Sequence, residues 1–258
     1  DILISSTDGN TLTEGGNIAR TRMFQTLGVA GVKSAATVYI GTLSFSLEDG
    51  SSAGLLTFGM DTAQPQFAAP WIAEQMEALK IESTALLDRG TRGVPSIIFD
   101  DLAAGKPHQF EINGQTMTAV GLVDVGGGFL ADGTLVVSDQ TFLRFNPQRA
   151  SGAPSHILVK TDDGAHIGTV KSRLERVLPP ESVKVQTIPD AAAADLSYMS
   201  SERPTGIIFG FGVLMGVIVG LVIVYQVLST DVADHLKEYA TLKAMGYDQP
   251  FFLGIVFE

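Results

Sequence analysis

Apolar and polar positions fall into two different patterns along the chain. Ahead of residue 204 they alternate in short runs. Ile2–Ser5 reads as a strand, and Asn17–Leu27 as a helix with Ile18, Met23, Phe24 and Leu27 on one face. Val32–Leu47 is rich in Val, Tyr, Ile, Thr and Phe, which suit a pleated surface. Glu48–Ser52 forms a hairpin tip, and Gly54–Met60 returns as the partner strand. The middle predicts a helix over Trp71–Leu79 and strands over Thr84–Leu87, Gln109–Ile112 and Thr116–Val125. A second set follows: strand Leu135–Ser138, helix Asp139–Phe145, strand Ile157–Lys160, helix Ile167–Leu178, strand Val183–Thr187 and an alanine-rich helix over Asp190–Ser201. The expected class is α+β, with two βα lobes and an inserted β-rich region.

Past residue 204 the alternation stops. No charged residue lies between Pro204 and Thr230, and Ile207–Leu228 is almost wholly apolar. At 1.5 Å per residue this run extends roughly 33 Å, the thickness of a hydrocarbon core of about 30 Å. It predicts a transmembrane helix. Gly212, Gly216 and Gly220 recur every four residues, a stripe without side chains along which another helix can pack closely in lipid.

Residues 231–250 predict a short amphipathic helix, with Asp231 as N-cap and Gly246 as C-cap ahead of Asp248-Gln249-Pro250. Val232, Leu236, Tyr239 and Met245 sit at near-helical spacing with Leu242 beside them, and Lys237, Glu238 and Lys243 are placed on the other side. Asp231, Asp234 and Glu238 suit a protein partner better than an anionic lipid surface. Lys237 and Lys243 downstream, against Arg203 upstream, place residues 231 onward in the cytoplasm by the positive-inside rule. The chain opens on Asp1 without an initiator Met or leader and closes on the apolar run 251–258, so it reads as an internal fragment.

Net charge is −11, from 17 Lys+Arg against 28 Asp+Glu, which excludes a nucleic-acid binder that works by neutralising phosphates. There is no Cys, hence no disulfide, thiolate metal site or cysteine nucleophile. Val125-Gly126-Gly127-Gly128 lacks the Lys and Ser/Thr of a phosphate-binding loop and reads as a flexible loop or bulge. His108, His156, His166 and His235 lack metal-ligand spacing. The adjacent pairs Asp100-Asp101 and Asp162-Asp163 read as loop residues, and Asp88-Arg89 as a local ion pair at a strand end. No catalytic constellation, cofactor site or metal site is expected.

The segment FGFGVLMGVIVGLVIVYQVLSTDVADHLKEYATLKAMGYDQPFFLGIVFE resembles the second membrane helix, cytoplasmic loop and opening of the third helix in DevC permeases. These are membrane subunits of cyanobacterial DevBCA-type ABC exporters, within the FtsX/MacB-like superfamily. FQTLGVAGVKSAATVYIG, FGMDTAQPQF, LLDRGTRG and VGLVDVGGGFLADGTLVVSDQTFLRF are similar to the same family's periplasmic domain, so the resemblance spans nearly the whole chain.

The resemblance implies a periplasmic MacB-like domain over 1–203, a transmembrane helix over 204–230, a cytoplasmic coupling segment over 231–248 and the start of the next membrane helix over 249–258. It implies a multi-pass inner-membrane protein, a homodimer, a separate ABC ATPase subunit that binds the ATP, a periplasmic adaptor and a TolC-type outer-membrane channel. Best-known relatives export glycolipids. Glu238, Tyr239, Leu242, Lys243 and Met245 are the implied ATPase contacts, and Gly212, Gly216 and Gly220 the packing stripe. The acidic tip Glu48-Asp49-Gly50 departs from relatives that carry basic residues nearby. Two alternatives stand beside this: an FtsX/LolC-like permease that releases lipoproteins or regulates cell-wall hydrolases, and an ATP-independent membrane-tethered binding module.

Overall fold

The computed structural model describes residues 1–46, 52–112, 114–126, 131–201 and 204–247. The hairpin tip at Glu48–Ser51, Gly127-Gly128 and the segment 249–258 lie outside them. The described chain divides into two compact units, Asp1–Leu196 and a C-terminal helical unit from Ser197.

The first unit is α+β. Strand β1 (Ile2–Ser6), helix α1 (Thr21–Leu27) and strand β2 (Val32–Ser46) open the chain. After β2 come β3 (Ser52–Met60), α2 (Pro70–Ala73), β4 (Thr84–Asp88), α3 (Ser96–Ala103), β5 (His108–Ile112), β6 (Gln115–Val123), β7 (Gly133–Ser138) and α4 (Asp139–Phe145). β8 (His156–Thr161), α5 (Ile167–Val177) and β9 (Val183–Thr187) complete it, and α6 (Ile188–Ser201) leads out.

The two βα sets do not build two lobes, as the sequence pattern suggested; their outer members interleave into one. The strands run β2-β8-β1-β9, each antiparallel to its neighbour, with β8 inserted between β1 and β2 and β1 between β8 and β9. This is a split βαβ arrangement. Alternation decides the faces: Ile2, Ile4, Ile157 and Val159 point to one side, where Val170 and Leu174 of α5 cover them.

β7 and α4 go instead to a barrel inserted between β2 and β8. Its pairings run β2-β3-β7-β4-β6-β5 and return to β2 through Phe45 opposite Ile112, so the ring closes. Closure removes the free sheet edges that invite aggregation. Leu43, Leu55, Leu87, Met117, Leu135 and Val137 fill the interior, joined by Leu102 of α3 and Phe142 and Phe145 of α4. Phe142 comes close to the sheet because Gly59 and Gly41 carry no side chain: an added Cβ at Gly59 would sit 2.5 Å from the Phe142 Cβ, and one at Gly41 3.1 Å from its ring.

Three expected elements differ. The helix over Trp71–Leu79 is only the short α2 and a 3₁₀ turn at Ala78–Lys80, because the Gln75 side-chain amide takes the Trp71 carbonyl while the Gln75 N–H reaches back three residues to Ile72. Residues 18–20 are not helical, since the N–H groups of Ile18 and Arg20 donate to the carbonyls of Pro154 and Gly152. Asp100-Asp101 lie on helix α3, unexpected from the sequence, with Asp101 paired to Lys106 at 3.0 Å.

Gly59→Ala tests the close approach of α4. Phe142 is 1% exposed and has nowhere to move, so the substitution should lower stability by about 1–3 kcal/mol. Gly54→Ala meets its nearest neighbour at an ordinary 3.7 Å, and should stay within about 0.5 kcal/mol of the parent. Equal thermal stability of the two variants by circular dichroism contradicts the packing described.

Candidate functional site

The C-terminal unit carries the sequence-predicted site residues. Helix α7 (Pro204–Asp234) is 31 residues long, roughly 46 Å of rise. The stretch Ile207–Asp234 is long and apolar enough to cross a membrane, and none of its most apolar window is buried. Large side chains such as Ile208 and Phe211 are 68% and 64% exposed. Such a surface is stable against lipid or other apolar helices and unstable against water. An added Cβ at Gly212, Gly216 or Gly220 meets nothing within 4 Å, so among the described residues the glycine stripe is open.

The helix does not begin afresh at Asp231, as its candidate N-cap role required. α7 runs on to Asp234, and only His235 separates it from α8 (Leu236–Ala244). At His235 the backbone turns to φ −98°, ψ 12°, near the bridge region. Its Nδ1 hydrogen-bonds the Asp231 carbonyl at 3.0 Å, a carbonyl that also accepts the His235 N–H at 3.1 Å. α8 then ends as expected from Gly246: the residue adopts φ +95°, its N–H bonds the Lys243 carbonyl, and the Tyr247 N–H reaches Leu242. That is a Schellman closure, which needs a residue tolerant of positive φ.

All five expected contact residues lie on α8 or its C-cap, but they do not share one face. Glu238, Leu242 and Met245 follow each other at i, i+4 and i+7. Leu236, Tyr239 and Lys243 form a second row at i, i+3 and i+7. Lys243 therefore stands with the apolar Leu236, not opposite it, and the helix is less amphipathic than expected. Glu238 in the first turn and Lys243 in the last both complement the helix dipole. Tyr239 and Leu242 are half-buried, while Glu238, Lys243 and Met245 are exposed.

His235 carries no weight in the sequence pattern, yet the structure makes it the joint. Its hydrogen bond to the Asp231 backbone raises its pKa above the ordinary value, and the charges of Asp231, Glu238 and Asp234 add to the shift. The Asp231 carboxylate is 3.5 Å from Nδ1.

In the first unit the polar candidates are structural. Asp88 is fully buried and does not pair with Arg89, which instead lies 3.6 Å from Asp124. Its Oδ1 accepts the N–H groups of Val125 and Gly126, and its Oδ2 has no hydrogen-bond partner among the described residues. Asp163 pairs with Lys33 at 2.9 Å in the open. His156 is buried between the Leu12 carbonyl on Nε2, 2.8 Å, and Ser5 Oγ on Nδ1, 3.1 Å. Burial lowers its pKa. Arg149 donates to the carbonyls of Ala153 and Gly16 and to Ser155 Oγ. Burial draws its pKa down as well. Among the described residues no group of three or more His, Asp or Glu could hold a metal ion.

No protein-family model matches the chain, and no curated protein matches it by sequence. Among solved structures, the extracellular domain of the noncanonic ABC-type transporter YknZ from Gram-positive bacteria is similar at 12% identity and a TM-score of 0.49, covering 72% of this chain and 99% of that one. The periplasmic region of MacB from Actinobacillus actinomycetemcomitans is similar at 11% identity and a TM-score of 0.49, covering 78% of this chain and 92% of that one. Both scores lie below 0.5, so the likeness fixes neither family nor activity.

The midpoints of two histidines are shifted in opposite directions. Folding depresses the His156 midpoint below about 6.5, so the unfolded chain binds more protons in that window. Its contribution is complete above about 6.5 and stability falls as pH drops through the folded midpoint. His235 has the opposite sign: its contribution is full below about 6.5 and fades as pH rises through the raised midpoint. Histidine ring resonances of the chain in nanodiscs should show His235 titrating above His156; the reverse order contradicts both environments.

Proposed function

We propose that the chain is part of the permease subunit of an ATP-driven exporter, a protein that moves cargo and leaves ATP chemistry to a separate subunit. In this reading residues 1–203 form a periplasmic domain in an inner-membrane protein, α7 is a membrane helix and α8 is the cytoplasmic contact for a partner ATPase. The observation that carries it is the C-terminal unit: a helix with a wholly uncovered apolar surface that gives way, after one residue, to a short exposed helix bearing Glu238 and Lys243. The sequence resemblance to DevC permeases, densest over residues 229–247, supports the same assignment.

The mechanism is mechanical. Closure of the ATPase dimer displaces α8, and the glycine row of α7 packs against a neighbouring helix that moves with it or holds it in register. The displacement reaches the periplasmic domain, which changes shape and drives cargo toward a periplasmic adaptor and a TolC-type outer-membrane channel. Export of a lipid or glycolipid by a homodimer of the whole subunit is the DevBCA-type form of this proposal. The residues involved bind and transmit force and perform no covalent chemistry.

Glu238 and Leu242 occupy the same row of α8, so Glu238→Arg and Leu242→Asp in the full-length protein should each abolish stimulation of the partner ATPase while membrane insertion and abundance stay normal. Normal transport by both variants overturns the assignment of α8. Residues 1–258 contain no cysteine, so Lys243→Cys, in a full-length background with any other cysteine replaced, introduces one thiol whose labelling from the cytoplasmic side is expected. Labelling from the periplasmic side overturns the orientation.

A further inference from the structure

One cavity of the first unit has no role in the mechanism above. It has a volume of about 380 Å³ and lies on the face of the split βαβ sheet opposite α1 and α5. Its floor is made by side chains that alternation turns away from the helices: Leu3 of β1, Val38 and Ile40 of β2, and Leu158 of β8, extended by Phe58 and Met60 of β3. Leu12 of the loop after β1 and Ala191 and Ala192 of α6 form the rim. Loop and helix are tied to one another, since the Leu12 N–H donates to Asp195 Oδ1 at 2.9 Å, and the Leu12 carbonyl is held by His156.

The wall offers carbon almost everywhere. Two polar side chains line it, and both are engaged within the chain. His156 has a partner on each ring nitrogen, and the Thr13 hydroxyl is 3.4 Å from that of Thr11. A sugar, peptide or nucleotide placed here would lose its hydrogen bonds to water and regain none, a desolvation cost at every polar group. An aliphatic chain loses nothing. At roughly 30 Å³ for a water-sized unit, the volume holds on the order of a dozen methylenes.

Charge at one end of the floor narrows the class further. Lys160 follows Leu158 by two residues on β8 and so shares its face, roughly 6.6 Å further along the strand. It is partly exposed, lies 5.9 Å from the Phe67 ring centroid, and its closest carboxylate is that of Asp1 at a long 3.9 Å. A cation in that position complements an acidic headgroup whose chain occupies the cavity.

We infer that this cavity binds the acyl chain of an acidic lipid, with the headgroup beside Lys160. The assignment rests on the exporter reading for the use made of the lipid, and on the cavity alone for its binding.

The test uses the full chain in nanodiscs and a dodecanoic acid analogue with a mid-chain diazirine. Photolabelling should place adducts on peptides that contain Leu12, Phe58, Met60 or Leu158. Ala192→Trp fills the rim from an exposed position and should reduce that labelling about tenfold, while circular dichroism reports an unchanged fold. Lys160→Gln should remove a preference for the acid over the matching alcohol. Adducts confined to α7, labelling unaffected by Ala192→Trp, or equal labelling by acid and alcohol in the parent chain each overturn the inference. Stimulation of the partner ATPase is a separate readout, so absence of cavity labelling in the parent chain with intact coupling rejects this site and leaves the exporter reading in place.

Discussion

Strand β2 belongs to two hydrophobic cores at once, and the rest of the first unit depends on how its fifteen residues are shared. Up to Val38 it pairs with β8 in the split βαβ sheet; from Val38 onward its other edge pairs with β3 in the barrel. Val38 is the common rung, opposite both His156 and Met60. A slip of one residue in either ladder turns every side chain of that half to the wrong face. The two registers therefore constrain each other through one continuous backbone. Where β8 leaves and before β5 arrives at Phe45, the open edge of β2 is occupied by the returning segment 151–155. Ser155 donates its N–H to the Val38 carbonyl and accepts the Ile40 N–H on Oγ, and Tyr39 donates its hydroxyl to the Ser151 carbonyl. Arg149 clamps the same segment against Gly16. Buried backbone groups that a free edge would leave unpaired are satisfied by this patch.

The patch also explains why the face of the sheet opposite α1 and α5 stays hollow. His156 follows Ser155 directly, and its ring is oriented by Ser5 and by the carbonyl of Leu12. That bond lifts the loop after β1 over the sheet, and Asp195 holds the same residue from α6. The cavity is thus a consequence of anchoring a loop at its backbone, with Leu12 as the common point, over the apolar floor. An imidazole suits this place because each ring nitrogen finds one partner in the neutral state, which burial favours.

Much of this was legible in the sequence where the signal is local. α4 and β9 run over their expected residues, and β4, β5 and α5 differ by a residue at an end, because alternation or helical spacing within one segment decides them. α7 is read from composition alone. Ser96–Ala103 was missed although Pro95 precedes it and Ile98 and Leu102 stand at i, i+4, a helical signature hidden by the acidic pair in its last turn. Closure of the barrel was not legible in principle. It rests on Phe45 meeting Ile112, residues far apart whose partnership no local pattern encodes. The exchange of β7 and α4 from the lobe to the barrel likewise rests on non-local pairing, that of β7 with β3 and β4. In the C-terminal unit the composition of α8 was visible, but its division into two rows was obscured by counting Val232 into it, and Val232 belongs to α7.

The break at His235 has a physical consequence for any force that passes through this region. An uninterrupted helix from 204 to 244 would transmit twist and translation together, since each turn is bonded to the next. At His235 the pattern of bonds changes: the Asp231 carbonyl is taken by both the backbone N–H and the ring of the same residue, and α8 starts again from the His235 carbonyl, which accepts from Glu238 and Tyr239. Only one residue's dihedral angles need to change for α8 to swing while α7 keeps its full ladder of hydrogen bonds. In lipid that ladder is obligatory, because an apolar core gives a freed carbonyl no partner. The polar residues Asp231, Asp234 and His235 put the joint just past the apolar stretch, where water can satisfy whatever the motion exposes. A lever of this kind bends where bending is cheap and stays rigid where the solvent forbids it.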